Sequence, residues 1–240
     1  MEQRTKNRYA KAFRVAFPYT IPVLTGYLFI GTAFGVMFQE KGYNFLWAIL
    51  MSVLVYAGSG QYLAVNFFVP GVGFWNIIFM TLMVNVRHMF YGLSLLERFG
   101  RMGKKRLYMI FSLTDETYSL LCTTKIPKGV PEDAFLFAIA FLDHLYWIAG
   151  SAIGAVAGAV LPLNAKGIDF AMTALFIVIF VEQWMAGGKR IPALIGLIST
   201  AALRVAFGMD RFVLPSMICI LCCLVLGRAH IEKEAVLDAD

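Results

Sequence analysis

Residues 45–68 read FLWAILMSVLVYAGSGQYLAVNFF. This apolar run is long enough to cross a bilayer, but Ala57-Gly58-Ser59-Gly60-Gln61 cuts it near its middle. A spanning helix needs about 20 consecutive apolar residues. Two glycines flanking a serine cost a helix roughly 1–2 kcal/mol in propensity, so the sequence predicts a break here. Unwound backbone survives at membrane depth only where it lines a cavity or is buried in protein. A broken apolar segment is therefore the first pointer to a solute path.

The rest of the chain supplies its setting. The 240 residues are 60% hydrophobic and 15% charged, with a mean hydropathy of +0.72, whereas soluble domains run at roughly 45–50% and 25%. Lipid must solvate much of this surface. Candidate spans are 18–38, 72–95, 134–160 and 168–185, with shorter ones at 191–207 and 212–226. The fold class is all-α, a polytopic helical membrane protein with about six to seven spans, one of them broken or re-entrant. The formal charge of +6 lies between the apolar runs, which suits an anionic membrane surface and argues against nucleic acid. No cleavage site follows the basic start (Arg4, Lys6, Arg8, Lys11, Arg14), so it reads as a cytoplasmic anchor and not as a signal peptide.

Orientation follows from the basic residues, which mark the cytoplasm. If 45–68 dips in and returns, the inside carries 16 Lys/Arg and the outside only Lys41, Lys166 and Arg211. If it spans and 106–122 crosses as well, the split is 11 to 8. The re-entrant arrangement with six full spans is preferred. It gives a basic cytoplasmic arm (1–17), a transmembrane transporter domain (18–227) and a polar C-terminal tail (228–240). An internal likeness also emerges, Tyr27 … Gly31-Thr32-Ala33-Phe34-Gly35 against Tyr146 … Gly150-Ser151-Ala152-Ile153-Gly154, each followed by a glutamine, Gln61 or Gln183. It suggests repeat units 18–95 and 134–208, or two ordinary small-residue packing faces. The charge count makes the copies parallel.

Ionisable residues inside spans are costly and therefore candidates for function. They are Arg87 and His88, Asp143 and His144, Glu182, and Arg204. Asp143 and Glu182 either neutralise Arg87 and Arg204 in structural pairs, or one of His88, Asp143, His144 and Glu182 takes up a proton in each cycle. The Gly58–Gly60 break offers free N–H groups to a carboxylate and free carbonyls to an ammonium or a cation. Arg87, in Asn85-x-Arg87-His88, can clamp a carboxylate or snorkel to lipid phosphate. Thr114 can cap a helical turn, and the adjacent Asp115 and Glu116 suggest a gate or partner contact. No HExxH, GxSxG or nucleotide-binding loop is present, so no enzyme activity and no cofactor are expected. Cys219 and Cys222 form a CxxC inside an apolar run, where thiolates are disfavoured, so they read as packing residues with no metal.

Several blocks in order carry a family likeness: Phe17-Pro18, Gly26-Tyr27, Gly31–Gly35, Tyr56-Ala57-Gly58-Ser59-Gly60-Gln61, Asn85-Val86-Arg87-His88-x-x-Tyr91 and Leu113-Thr114-Asp115-Glu116-Thr117. Together they resemble the AzlC family of branched-chain amino acid exporters from about residue 13 to about 225. The resemblance implies the large subunit of a proton-driven, two-component exporter with a small AzlD-like membrane partner. Gly58, Ser59, Gly60, Gln61, Asn85 and Arg87 would line the path of leucine, isoleucine and valine. Gly60 stands where that family more often has alanine.

Overall fold

The computed structural model describes residues 2–68, 71–161, 190–208 and 212–227, with the separate positions 170, 173, 174, 177, 180, 181 and 184. The described residues form ten helices: α1 Glu2–Glu40, α2 Phe45–Leu54, α3 Gly58–Phe67, α4 Phe74–Ser94, α5 Leu96–Gly100, α6 Lys105–Phe111, α7 Asp115–Thr123, α8 Glu132–Val160, α9 Arg190–Phe207 and α10 Val213–Leu226. The chain divides into two compact units, Met1–Met172 and Thr173–Asp240. Three helical stretches are long and apolar enough to cross a membrane, Arg8–Glu40, Phe74–Ser94 and Glu132–Val160. The all-helical class agrees with the sequence reading. Most of the predicted span 168–185, with Glu182 and Gln183, lies outside the described residues.

In the first unit α1 and α8 run side by side and parallel. At one end Arg8 pairs with Asp133 and Lys11 Nζ donates to Gly129 O at 3.0 Å. At the other end a Cβ on Gly158 would meet Gln39 at 3.3 Å. Between them the two similar glycine stretches face each other. A Cβ on Gly35 would lie 2.3 Å from Ser151 O, and one on Gly154 would lie 2.0 Å from Thr32 O. Both contacts are with backbone, so only glycine permits this approach, as in other small-residue helix crossings. The internal likeness thus has a packing cause, and the two copies are parallel, as the charge count implied.

The interrupted segment is a hairpin. A straight 24-residue helix would be about 36 Å long, yet the Phe68 ring at its end packs against Tyr43 before its start (4.6 Å between ring centres) and edge-on against Phe38 (5.7 Å). Helix α2 descends from the end of α1, and α3 climbs back beside it, with Tyr62 Oη donating to Ile30 O at 2.7 Å. An open apolar hollow of about 380 Å³ lies along α2, lined by Trp47, Leu50, Met51 and Leu54 together with Phe38, Tyr43 and Phe68. At the tip Tyr56 adopts φ +39°, a left-handed conformation that costs a non-glycine residue about 1–3 kcal/mol. Burial of its ring against His144 (4.1 Å between centres) offsets that cost.

A second hairpin, α6–α7, enters from the opposite end, and the sequence reading had no counterpart for it. Lys105 stands by Asp133 (3.5 Å) and over the Tyr9 ring, at the N-terminal ends of α8 and α1. Tyr108 then packs on Phe137 and Phe111 on His144, so α6 follows α8 inward. Helix α7 returns until Arg98 Nη1 donates to Leu121 O (2.7 Å) and pairs with Glu132 (2.9 Å). The buried apolar core of this end joins Ala12 and Ala16 of α1 to Phe99, Met109, Leu121, Phe135 and Ile139. In the second unit α9 and α10 pack together, with Cys219 Sγ donating to Ser199 Oγ at 3.8 Å. Cys219 and Cys222 are free thiols.

Candidate functional site

The two hairpin tips meet beside the middle of α8, with Tyr56 and Phe111 6.3 Å apart between ring centres. Each tip presents a helix N-terminus, that of α3 at Gly58 and that of α7 at Asp115. Such ends carry unpaired N–H groups and partial positive charge. At α7 the cap is Thr114, whose side chain accepts from Thr117 N at 3.2 Å, as the sequence predicted for this residue. No side chain caps α3.

Arg87 of α4 joins the two ends. Its Nη1 lies 2.7 Å from Asp115 Oδ2, and its Nη2 donates to Ser59 Oγ at 2.5 Å. Asp115 also accepts from Tyr91 Oη at 2.6 Å. The sequence left Arg87 to clamp a solute carboxylate, to snorkel to lipid phosphate, or to pair with Asp143 or Glu182; in the structure its described ionic partner is Asp115, and Glu182 lies outside the described residues. The partly buried guanidinium points at a carboxylate beside the broken helix. The amide of Asn85 lies where a Cβ on Gly60 would sit (3.2 Å), and the Trp147 ring is 3.1 Å from a Cβ on Gly58. Each glycine thus lets a neighbour reach the backbone of the break.

Behind Gly58 the polar side chains form a closed set. Trp147 Nε1 donates to Gln61 Oε1 at 2.8 Å, and Gln61 Nε2 donates to Ser52 Oγ at 3.2 Å. Gln61 is fully buried, and its amide braces α3 against α2 and α8. His144 is held by Ser52 O through Nε2 (3.2 Å) and by Tyr108 Oη through Nδ1 (3.0 Å). His88 is held by Asn85 O at 3.1 Å.

A separate chain of hydroxyls runs through the tip of the second hairpin. Tyr27 Oη lies 2.8 Å from Glu116 Oε2 and 2.5 Å from Thr114 Oγ1. Thr114 Oγ1 is 3.1 Å from Thr117 Oγ1, which is 2.9 Å from Asp143 Oδ2. Asp143 is fully buried, and among the described residues its Oδ1 has no hydrogen-bond partner. The structure therefore brings Gly58, Ser59, Gly60, Asn85, Arg87, Asp115, Glu116 and Asp143 around the two tips, while Glu182 lies outside the described residues. From sequence, Tyr27, Tyr91 and Thr117 stood only within motif blocks, without a role, and Trp147 was not singled out. Aromatic and hydroxyl residues in an apolar run look like packing until the fold sets them against a carboxyl or an amide.

Comparison with known proteins bears on the same region. The family model described as AzlC protein matches residues 22–161, which hold both hairpins and every residue of the networks above. A branched-chain amino acid transport protein AzlC of Bacillus subtilis (strain 168) is 45% identical over 225 residues, 94% of this chain and 89% of that protein. An uncharacterized membrane protein of Haemophilus influenzae is 36% identical over 234 residues, 97% of this chain and 96% of the other. The inner membrane protein YgaZ of Escherichia coli (strain K12) is 26% identical over 212 residues, 87% and 84% of the two chains. No solved structure matches.

Proposed function

Because the chain belongs to the AzlC family of membrane proteins, we propose that it exports branched-chain amino acids across the cytoplasmic membrane as the large subunit of a proton-driven secondary transporter. The small subunit would be an AzlD-like membrane protein. The substrate class rests on the relative from Bacillus subtilis, a branched-chain amino acid transport protein.

One observation carries the mechanism: the Arg87–Asp115 pair lies between two half-helix N-termini, at 2.7 Å. A zwitterion is the one solute class that can replace both partners. Its carboxylate takes the place of Asp115 on Arg87, with the free N–H groups of α3 and Ser59 Oγ beside it. Its ammonium takes the place of Arg87 on Asp115. Leaving one partner of such a pair alone is strongly unfavourable, about 3–5 kcal/mol when fully buried and less for these partly exposed side chains. Exchange with both charges of an amino acid avoids that cost. The ring of Trp147 beside Gly58 gives an apolar wall for a branched side chain. Moving the pair apart also parts the two tips, which makes the occupied and empty states differ in which end is open.

Counterflow tests this in proteoliposomes containing the chain with and without the small subunit. Internal unlabelled leucine should accelerate uptake of labelled leucine, and glycerol should not. A pore through the break would pass leucine without trans-stimulation. A membrane scaffold would pass nothing.

A further inference from the structure

The chain Glu116–Tyr27–Thr114–Thr117–Asp143 contains four oxygen–oxygen contacts, of 2.8, 2.5, 3.1 and 2.9 Å. Three hydroxyls supply three hydrogens. A carboxylate only accepts, and each hydroxyl donates once. With both carboxyls ionised, one contact must hold two oxygens face to face with no hydrogen between them. If Tyr27 donates to Glu116, Thr114 to Thr117 and Thr117 to Asp143, the empty contact is the 2.5 Å one between Tyr27 and Thr114, the shortest of the four. A fourth hydrogen completes the chain, and it can only sit on a carboxyl at one end.

We propose that Glu116 and Asp143 share a single proton through Tyr27, Thr114 and Thr117, forming a proton-binding site separate from Arg87. The chain has two complete states. In one, Glu116 is the acid and every hydroxyl points toward Asp143. In the other, Asp143 is the acid and every hydroxyl points toward Glu116. One proton enters at a carboxyl, each hydroxyl passes on its own, and one proton arrives at the far carboxyl, so no charge is created along the way.

The surroundings favour the second state in this conformation. Glu116 is in the first turn of α7, where the helix end favours an anion, and of its charged neighbours Arg87 of α4 favours that anion while Asp115 opposes it. Facing Asp143 are Glu116, Tyr27 of α1, Tyr56 of the first tip, Tyr108 of α6 and Tyr146 of its own helix, with His144 next in sequence. No arginine or lysine is among them. Asp143 Oδ1, fully buried and unpartnered among the described residues, is tolerable as the carbonyl of a neutral acid and costly as half of a carboxylate. Glu116 is partly exposed and Asp143 is not, so protons enter at Glu116 and are stored at Asp143.

The proton site is independent of any solute, although its use in transport rests on the export reading. Infrared difference spectroscopy on the purified chain in lipid nanodiscs at neutral pH tests it without a solute. A protonated-carboxyl band should be present, should persist in Glu116→Gln, whose amide oxygen accepts from Tyr27 while buried Asp143 keeps the proton, and should vanish in Asp143→Asn, whose amide N–H supplies the fourth hydrogen. Absence of the band, or its survival in Asp143→Asn, overturns the proposal. In proteoliposomes Tyr27→Phe should slow leucine-coupled proton movement by about a hundredfold, the low end of what a positioned proton-transfer group contributes. Equal proton movement in wild type and Tyr27→Phe overturns the relay. If the band behaves as stated but wild type moves no leucine, the proton site stands and the export reading falls.

Discussion

Arg87 is the residue on which the solute reading turns, because two of its nitrogens are already engaged by groups at the two tips. Arg87→Lys keeps the charge and loses the planar fork. Losing one charge-assisted hydrogen bond costs roughly 1.5–3 kcal/mol, so the half-saturation for leucine should rise about ten- to a hundredfold at equal protein in the membrane. Unchanged half-saturation removes Arg87 from the solute path and leaves it as a brace between the tips. The glycines of the break separate in the same way. At Gly60 a new Cβ meets the end of the Asn85 side chain at 3.2 Å, which can give by a few tenths of an ångström. At Gly58 it meets the rigid Trp147 ring at 3.1 Å, and that ring is tied to Gln61. Gly60→Ala should therefore retain transport, while Gly58→Leu should abolish it with the protein still inserted. Equal efflux from all three proteins would make the break a packing feature.

Helices and hairpins were legible to different degrees, for reasons that differ by element. The Gly58-Ser59-Gly60 interruption showed in the sequence because two glycines only two positions apart, with a serine between them, lower helix propensity within a single turn. The second hairpin did not show. Its arms are only seven and nine residues long, its tip Ser112-Leu113-Thr114 has no glycine, and Asp115-Glu116 looks like an exposed helix start. Only the long-range contacts of Thr117 with Asp143 and of Tyr27 with Glu116 reveal that this start packs against α8 and α1. The likeness between Gly31–Gly35 and Gly150–Gly154 was visible, but sequence could not tell a repeat of fold from a shared packing need. In the structure the two stretches touch, and a methyl group on Gly154 would fall 2.0 Å from Thr32 O. Gly154→Ala must therefore push α1 and α8 apart. Overpacking of this kind costs about 1–3 kcal/mol. Denaturant titration in detergent should register that loss, whereas Gly92→Ala, with open space at its Cβ, should lose less. Equal stability of the two variants would mean that the α1–α8 contact does not hold the unit together.

At the scale of the first unit, the parallel run of α1 and α8 sorts the charges. Arg8, Lys11, Arg98, Arg101, Lys104, Lys105, Lys125 and Lys128 lie on segments that gather at the start of α8 through the Asp133, Glu132 and Gly129 contacts. Lys41 lies at the far end, just past α1. By the excess of basic residues on the cytoplasmic side of membrane proteins, this end is expected to face the cytoplasm. The hairpin α2–α3 begins and ends at the Lys41 end, since Phe68 packs against Tyr43. In that orientation it would enter from outside and return, while α6–α7 would enter from inside. Had α2–α3 crossed, its last residue would sit at the basic end, away from Phe38 and Tyr43. This arrangement is tested at Lys104, which is exposed in the turn between α5 and α6. A single cysteine there, in a background without Cys122, Cys219, Cys222 and Cys223, should resist an impermeant thiol reagent added to intact cells and react once the membrane is opened. A cysteine at Lys41 should react from outside in both conditions. Labelling of the Lys104 site in intact cells would place the basic end outside, reverse the entry sides of the two hairpins, and turn the proton-entry carboxyl Glu116 toward the opposite compartment.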